Sequence, residues 1–369
     1  MKIEKFELIR LEMPLVRPFR TSFGVEYGRD VLLLKVTTDV GVGWGECVSG
    51  RDPLYSPEYV DGSIDVMKRY LLPRVMAPAD IRTEDVAGML SAIRGYPMAK
   101  AAVEMALLDA QLRSESISWG QYFGSTRDIV PSGVSVGIPA DDSMATLVDE
   151  VKDYVESGYV RIKLKIQPGW DIEPTREIRR LFPDIPLQVD ANQAYTRESI
   201  EHLAKLDEFN LLLIEQPLRE EDILGHAIMA KQIQTPVCLD ETVISLETAE
   251  QCLDLEACHI INIKPGRVGG YIEAKRIHDL CDERGIPVWC GGMLETGIGR
   301  AANIAMAALP RYTVVGDISE SARFYKKDIT APFVLDNGQM HVPTGAGLGV
   351  EVNLDTVAEI TRSLETVTR

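Results

Sequence analysis

This sequence has few histidines, no closely spaced cysteines and fewer basic than acidic residues. Its five histidines and six cysteines are scattered, and none forms a pair at the spacing of a zinc site. We therefore expect any metal ligands to be oxygens and the cysteines to be reduced core residues. With 39 basic against 56 acidic residues, the chain lacks the basic surface that a nucleic acid or an anionic membrane would require.

The chain also lacks a long apolar run and a recognisable signal peptide. No stretch approaches the roughly 20 apolar residues of a membrane span. The first six residues, Met-Lys-Ile-Glu-Lys-Phe, begin directly with a strand-like alternation. We therefore expect a cytoplasmic protein. Its 369 residues are enough for roughly two domains.

From Val130 onward, short apolar strands alternate with amphipathic helices. The unit returns about every 25 residues. The predicted strands are Val134–Ile138, Arg161–Ile166, Leu187–Asn192, Leu211–Pro217, Val237–Glu241, His259–Pro265, Pro287–Gly292 and Thr313–Asp317. Eight such units indicate a (β/α)8 barrel. A doubly wound sheet is the main alternative, but it rarely needs eight uniform units.

The first 125 residues have a different pattern. Period-two alternation at residues 3–10 and 31–37 predicts an antiparallel meander, and a helical pattern follows, most clearly at residues 99–112. Gly and Pro at residues 18–24 predict a mobile loop between the strands. The predicted fold is thus α/β: an α+β capping domain at 1–125, a barrel at 126–320, and a C-terminal segment at 321–369 that returns to the capping domain.

Four charged residues each end an apolar run of a successive predicted strand, about 25 residues apart. They are Asp190, Glu215, Asp240 and Lys264. Lys163 and Lys165 alternate with apolar residues on the preceding strand, so both should point the same way. Side chains at the C-terminal strand ends of a barrel converge on one face. The sequence therefore predicts one site that contains all of these charges.

Three adjacent carboxylates would repel one another unless a divalent cation such as Mg²⁺ or Mn²⁺ neutralised them. Lysines on opposite strands could address two faces of one substrate carbon, and a lysine beside the cation should have a lowered pKa. The pattern thus permits removal of a proton α to a carboxylate. Two lysines acting as base and acid would invert the carbon, and one lysine acting in both roles would eliminate a leaving group.

Two other classes of protein remain open at this point. A lysine Schiff-base barrel, such as an aldolase, would be trapped by borohydride and would not need a metal. A non-catalytic metal-binding barrel would bind a ligand without exchanging its α-proton. The lysines beside three carboxylates argue against this last class, because such charges are costly to bury without a task.

Several segments resemble the enolase superfamily, muconate-lactonizing subgroup. They are Arg161–Lys165, Val189–Asn192, Ile214–Pro217, Leu239–Glu241 and Asn262–Gly270. Three more are similar to the branch of o-succinylbenzoate synthases and N-succinylamino acid racemases, also called N-acylamino acid racemases. They are Pro18–Gly24, Gly43–Cys47 and Val288–Gly297. The resemblance implies an enolase-like modified TIM barrel.

The resemblance also implies roles for individual residues. Asp190, Glu215 and Asp240 would bind Mg²⁺ (or Mn²⁺). Lys165 and Lys264 would be the acid/base residues, and Lys163 would assist electrostatically. The residues implied for substrate binding or for support of the site are Phe19, Arg20, Ser22, Phe23, Ser135, Asn192, Glu241, Gly291, Gly292 and Met293.

The implied substrate is a small carboxylate with a succinyl or acyl tail. The enzyme would dehydrate 2-succinyl-6-hydroxy-2,4-cyclohexadiene-1-carboxylate to o-succinylbenzoate, a step of menaquinone biosynthesis, or racemise N-succinyl and other N-acyl amino acids, or do both. Muconate cycloisomerase and dipeptide epimerase are the alternatives within the superfamily. We also expect a homo-oligomer.

Overall fold

The N-terminal part of the chain forms an antiparallel sheet covered by helices. The computed structural model describes residues 1–369. The elements of this part are β1 Ile3–Thr21, β2 Gly24–Thr38, β3 Gly41–Cys47, α1 Val60–Val66, α2 Leu72–Met76, α3 Val86–Leu90, α4 Pro97–Glu115 and α5 Trp119–Phe123. A π-helical turn, Met67–Leu71, joins α1 to α2, and a 3-10 turn, Thr83–Asp85, precedes α3.

Strands β1, β2 and β3 form the meander that the alternation predicts. The predicted loop at residues 18–24 is wrong, because this segment is the tip of the β1–β2 hairpin. Phe19 pairs with Glu26, and Thr21 pairs with Gly24. The register shifts between Pro14 and Phe19, since a proline cannot donate to the ladder. The prolines and glycines of this irregular part of the hairpin gave the segment the sequence pattern of a loop.

Helix α4 is buried on all sides and joins the sheet to the second domain. The approach to β3 is so close that a Cβ atom at Gly43 would lie 2.1 Å from the carbonyl oxygen of Ala106. Ala102 belongs to the hydrophobic core of the capping domain, whereas Met105 and Leu108 belong to that of the barrel. An apolar helix of this kind is stable only between two layers.

The second part of the chain alternates strands and helices. Its elements are β4 Ile129–Pro131, β5 Gly133–Val136, α6 Met144–Glu156, β6 Arg161–Lys165, α7 Ile172–Leu181, β7 Leu187–Asp190, α8 Ile200–Leu203, β8 Ile214–Glu215, α9 Ile223–Gln232, β9 Val237–Leu239, α10 Leu246–Asp254, β10 Ile260–Ile263, α11 Tyr271–Glu283, β11 Val288–Cys290 and α12 Gly297–Ala307. Two 3-10 turns, Arg197–Ser199 and Ala204–Phe209, flank α8.

Strands β5 to β11 form one parallel sheet in chain order. The eighth predicted strand, Thr313–Asp317, is not a regular strand, but it closes the ring. Gly133 N–H donates to Gly316 O at 3.0 Å on one edge, and Asp317 N–H donates to Cys290 O at 3.1 Å on the other. The arrangement is a capped, modified TIM barrel whose last position is irregular.

The C-terminal tail contacts both domains. After a 3-10 turn, Ser321–Arg323, its elements are β12 Gln339–His341, α13 Leu354–Ile360 and β13 Thr361–Thr368. Strand β12 pairs with β4 beside the barrel, and β13 pairs antiparallel with β1 as the fourth strand of the capping sheet. The tail thus completes the capping domain, while the predicted boundaries at residues 125 and 320 stay predictions.

The cysteines and the helices agree with what the composition predicts. All six cysteines are buried and unpaired, which confirms their prediction as reduced core residues. No helix combines the length and the apolar character needed to cross a membrane.

Candidate active site

The strand ends of the barrel bring together the charged residues that the sequence analysis singled out. Lys163 and Lys165 lie on β6, Asp190 and Glu215 end β7 and β8, and Asp240 and Lys264 directly follow β9 and β10. Lys165 is in register with Asp190, which is in register with Glu215. None of the six is more than 8% exposed. Buried charges of this density need partners within the cluster.

Lys163 is the most enclosed lysine of the cluster. Its Nζ lies 2.6 Å from Asp317, 2.9 Å from Glu215 and 3.2 Å from Asp190. It also lies 4.8 Å from the centre of the Trp289 ring. Three carboxylates and an aromatic face thus surround this ammonium group, which suits an electrostatic role better than proton transfer.

Lys165 is held by a chain of polar side chains from the barrel. Its Nζ donates to Asp190 Oδ2 and to Asn192 Oδ1, both at 2.6 Å. Asn192 Nδ2 in turn donates to Glu241 Oε1 at 2.9 Å. Asn192 adopts a φ of 41°, a left-handed conformation that asparagine tolerates better than most residues. Burial and the nearby Asp190 raise the pKa of Glu241 to about 7.

Lys264 has one barrel partner and one partner from the capping domain. Its Nζ donates to Asp240 Oδ2 at 2.8 Å and to the hydroxyl of Tyr55 at 3.1 Å. Arg267 forms an ion pair with the other oxygen of Asp240. A Cβ atom at Gly291 would lie 2.7 Å from Lys264 Cε, so the glycine leaves room for the lysine.

The carboxylates raise the pKa of Lys163 and Lys264. Burial lowers both values, but Asp317 and Glu215 outweigh it at Lys163, and Tyr55 and Glu215 outweigh it at Lys264. Anions are their nearest charged neighbours, and anions favour the protonated form. The lowered lysine pKa was expected beside a bound cation, so it stays a prediction.

A cavity of about 240 Å³ lies between the hairpin tip and the barrel mouth. Both Lys165 and Lys264 line it. The other predicted site residues that line it are Phe19, Phe23, Asn192, Gly292 and Met293. Aromatic and apolar side chains beside the Lys165 and Lys264 ammonium groups are suited to a small organic anion.

Other predicted substrate residues lie outside the cavity lining. Arg20 donates to Pro139 O and pairs with Asp142, so it fastens the hairpin to the loop after β5. Ser22 donates to Ala191 O at 2.9 Å. The Ser135 hydroxyl is buried without a hydrogen-bond partner. Gly291 contacts the stem of Lys264 rather than the cavity.

Sequence reasoning missed three residues of this cluster. Asp317 ends the eighth predicted run with a charge, so the pattern that identified Asp190 could have found it. Arg267 lies three residues beyond Lys264, within the Asn262–Gly270 segment that carries the family resemblance, but the sequence analysis gave it no role. Tyr55 lies in an aperiodic segment, and no pattern in the sequence singles it out.

The donor set fits a hard divalent cation. Asp190, Glu215 and Asp240 are buried carboxylates at the ends of neighbouring strands, and carboxylate oxygens are the donors that such a cation prefers. Glu241 Oε2, also buried, has no hydrogen-bond partner. In the structure the three carboxylates pair with lysines and Arg267, and no group of three acidic side chains is arranged as a metal site. The lysines and Arg267 therefore contact the same carboxylates that a bound metal would use as ligands.

Two family models match the chain. Residues 5–124 match the mandelate racemase / muconate lactonizing enzyme N-terminal domain, and residues 146–356 match the enolase C-terminal domain-like family. The capped barrel and its charged strand ends agree with both matches. The chain belongs to the mandelate racemase / muconate lactonizing enzyme family of the enolase superfamily, whose members depend on a divalent metal ion.

Its relatives match along the full length. An Amycolatopsis protein named N-succinylamino acid racemase is 56% identical over 362 residues, 98% of each chain. A Bacillus subtilis protein named o-succinylbenzoate synthase is 42% identical and covers 100% of this chain and 99% of its own. A crystal structure of an enolase superfamily member from Listeria innocua has a TM-score of 0.95 at 39% identity and covers 100% of this chain and 99% of its own.

Proposed function

We propose that this protein removes the proton α to a carboxylate, as an o-succinylbenzoate synthase, an N-succinylamino acid racemase, or both. The observation that carries the proposal is that Lys165 and Lys264, on strands four places apart in the ring, line one cavity with the carboxylates between them. The full-length relatives with these two names support the choice of substrates. Both substrates are small carboxylates with a succinyl tail.

In this proposal Asp190, Glu215 and Asp240 hold Mg²⁺ or Mn²⁺. The bound cation would stabilise the negative charge that develops on the substrate carboxylate as the α-proton leaves. Lys163 adds a positive charge beside Asp190 and Glu215, which it contacts. Its side chain does not line the cavity, so its role in the proposal is electrostatic.

Racemisation requires both lysines. The neutral amine of one takes the α-proton at Nζ, and the ammonium of the other donates a proton to the opposite face of the same carbon. The reverse reaction exchanges the two roles. With the α-carbon bound between the lysines, each enantiomer would present its proton to one of them.

Dehydration requires a base and an acid for the leaving hydroxyl. Lys165 would take the α-proton and then return it to the departing hydroxide, which leaves as water. Lys264 would remain an ammonium group on the other face. This reaction would place the protein in menaquinone biosynthesis, and we propose that it acts in the cytoplasm.

The proposal is tested by α-proton exchange in deuterated water with N-succinyl-L-phenylalanine, followed by NMR with optical rotation in parallel. We expect exchange with loss of rotation in Mg²⁺ or Mn²⁺, none after EDTA, and recovery when the metal is restored. Formation of o-succinylbenzoate from its precursor tests the second activity. Absence of both reactions with every metal would overturn the proposal.

A further inference from the structure

Tyr55 enters the cavity from a loop of the capping domain. The loop joins β3 to α1, and its ends meet in a bridge between Gly50 and Tyr59. Residues 51–54 are exposed, but Tyr55 turns inward and lines the cavity. Glu58, three residues further on, accepts hydrogen bonds from Met98 and Ala99 at the start of α4. The loop is therefore anchored to its own domain while its inward residue reaches the barrel.

Three contacts join Tyr55 to the Lys264 side of the site. Its hydroxyl accepts from Lys264 Nζ at 3.1 Å and donates to Asp240 Oδ2 at 3.3 Å. The centre of its ring lies 4.8 Å from the same Nζ, within the range of a cation–π contact. The ring of Phe23 at the hairpin tip lies 6.1 Å away. Tyr55 thus contacts the ammonium group with both its hydroxyl and its ring.

Lys264 has few other constraints. Its only barrel partner for a hydrogen bond is Asp240, which Arg267 also contacts and which the proposed function assigns to the metal. Gly291 packs close to the end of the lysine stem, where a Cβ atom would lie 2.7 Å from Lys264 Cε, but it has no side chain that could hydrogen-bond to Nζ. When Asp240 is engaged with a cation, Tyr55 is the remaining hydrogen-bond partner of Lys264.

We propose that Tyr55 is a positioning residue for Lys264, through which the capping domain controls proton transfer on one face of the substrate. This inference rests on the proposed function. Lys165 does not need Tyr55, because its hydrogen bonds are with barrel residues. Loss of the Tyr55 hydroxyl should therefore slow one lysine and spare the other.

The test is Tyr55→Phe, which keeps the ring and removes the hydroxyl. Exchange of the α-proton is measured at early times for each enantiomer of N-succinylphenylalanine, and Lys264→Ala shows which enantiomer faces which lysine. We expect the Lys264-facing enantiomer to exchange about tenfold more slowly, the factor for a lost hydrogen bond to a charged group, with the other enantiomer unchanged. Racemisation should slow equally in both directions, because the enantiomers have equal free energy.

Tyr59→Phe is the matched control, since this tyrosine lies in the same loop and is partly exposed. It should leave both exchange rates unchanged. Equal slowing of both enantiomers by Tyr55→Phe, or no slowing, would overturn the inference, whereas a wild-type enzyme without exchange would contradict the proposed function. In that case crystal structures decide the inference, because Tyr55→Phe should displace Lys264 Nζ, and an unmoved Nζ would refute it.

Discussion

Lys165 and Lys264 lie on opposite sides of one cavity, but their surroundings differ. Lys165 is hydrogen-bonded to Asp190 and Asn192 of the barrel, and the capping domain reaches it only through the Phe19 ring, whose centre is 5.9 Å from Nζ. Lys264 is hydrogen-bonded to Asp240 and to Tyr55 of the capping domain. One lysine therefore depends on one domain for its hydrogen bonds, and the other depends on two.

This difference suggests how one site can support two reactions. Dehydration, as proposed, uses one lysine for both proton transfers, so it depends mainly on the barrel. Racemisation uses both lysines, so it also depends on the position of the capping domain. Changes near Tyr55 should thus alter the balance between the reactions more than changes in the barrel wall.

The largest effect should come from removing either lysine. Lys165→Ala should lower both reactions by at least about 10³-fold, within the range for loss of a general acid/base. Lys264→Ala should abolish racemisation while the Lys165-facing enantiomer still exchanges its α-proton. Deuterium incorporation into each enantiomer, measured by NMR, distinguishes the two variants. Racemisation at the wild-type rate in Lys264→Ala would contradict the assignment of two bases.

Gly291→Ala should act on Lys264 from the barrel side. The new methyl group would lie 2.4 Å from Asn262 Oδ1 and 2.7 Å from Lys264 Cε, so the flexible lysine must move. A displacement of about 1 Å can cost about 100-fold in rate. Steady-state racemisation and the exchange of each enantiomer measure this effect. If the exchange rates of both enantiomers fall equally, Gly291 does not act on the position of Lys264 alone.

Asn192→Gly should give the mirror image of Tyr55→Phe. It removes one of the two hydrogen-bond partners of Lys165, and glycine adopts the φ of 41° without strain. We expect the Lys165-facing enantiomer to exchange about tenfold more slowly and dehydration to slow with it. Exchange of the Lys264-facing enantiomer is the internal control. Equal loss for both enantiomers would mean that Asn192 supports the whole site.

The last prediction concerns the stability of the barrel wall in acid rather than catalysis. Burial lowers the pKa of His226 to about 4, and its Nε2 accepts from Leu218 N–H at 3.2 Å. The neutral ring contributes its full stability above the usual pKa of about 6.5, and the contribution is lost as the pH falls toward the folded value. The free energy of unfolding should drop by up to about 3 kcal/mol across this range.

Urea unfolding at a series of pH values tests this expectation against His226→Gln. The variant cannot titrate at this position, so its stability should fall less between neutral and acidic pH. The same slope in both proteins would show that other groups cause the acid sensitivity. The carbonyl oxygen of Leu218 accepts from Gln216 Nε2, and Gln216 Oε1 accepts from Asp240 N–H. His226 is thus linked to the barrel side of the site and not to the capping domain.

The barrel could be predicted because its repeat follows from physical necessity. Each strand must be buried and each helix must cover it, so the period returns along the chain. A charged residue at the end of each buried strand interrupts the apolar run, so the site residues could be recognised from the same repeat. Thr313–Asp317 was predicted as a strand, but a Cβ atom at Gly316 would lie only 2.5 Å from Cys290 O, and the segment closes the ring through isolated hydrogen bonds.

The capping side of the site could not be predicted in the same way. Tyr55 reaches Lys264 across 209 positions of sequence, from a loop without periodicity. Arg20 carries a positive charge that would suit an anionic substrate. The register of the hairpin sets the direction of its side chain, however, and the side chain pairs with Asp142. Contacts of this type depend on how the domains dock, which local patterns do not encode.

The pairing of β13 with β1 has a consequence for synthesis of the protein. The first strand of the capping sheet emerges from the ribosome early, but its neighbour at residues 361–368 emerges only after the barrel. The intervening barrel can form while the edge of β1 is still unpaired, and an unpaired strand edge is prone to association with other chains. The four-stranded capping sheet is therefore complete only after translation has reached residue 368, so a ribosome that stalls late would leave this edge open.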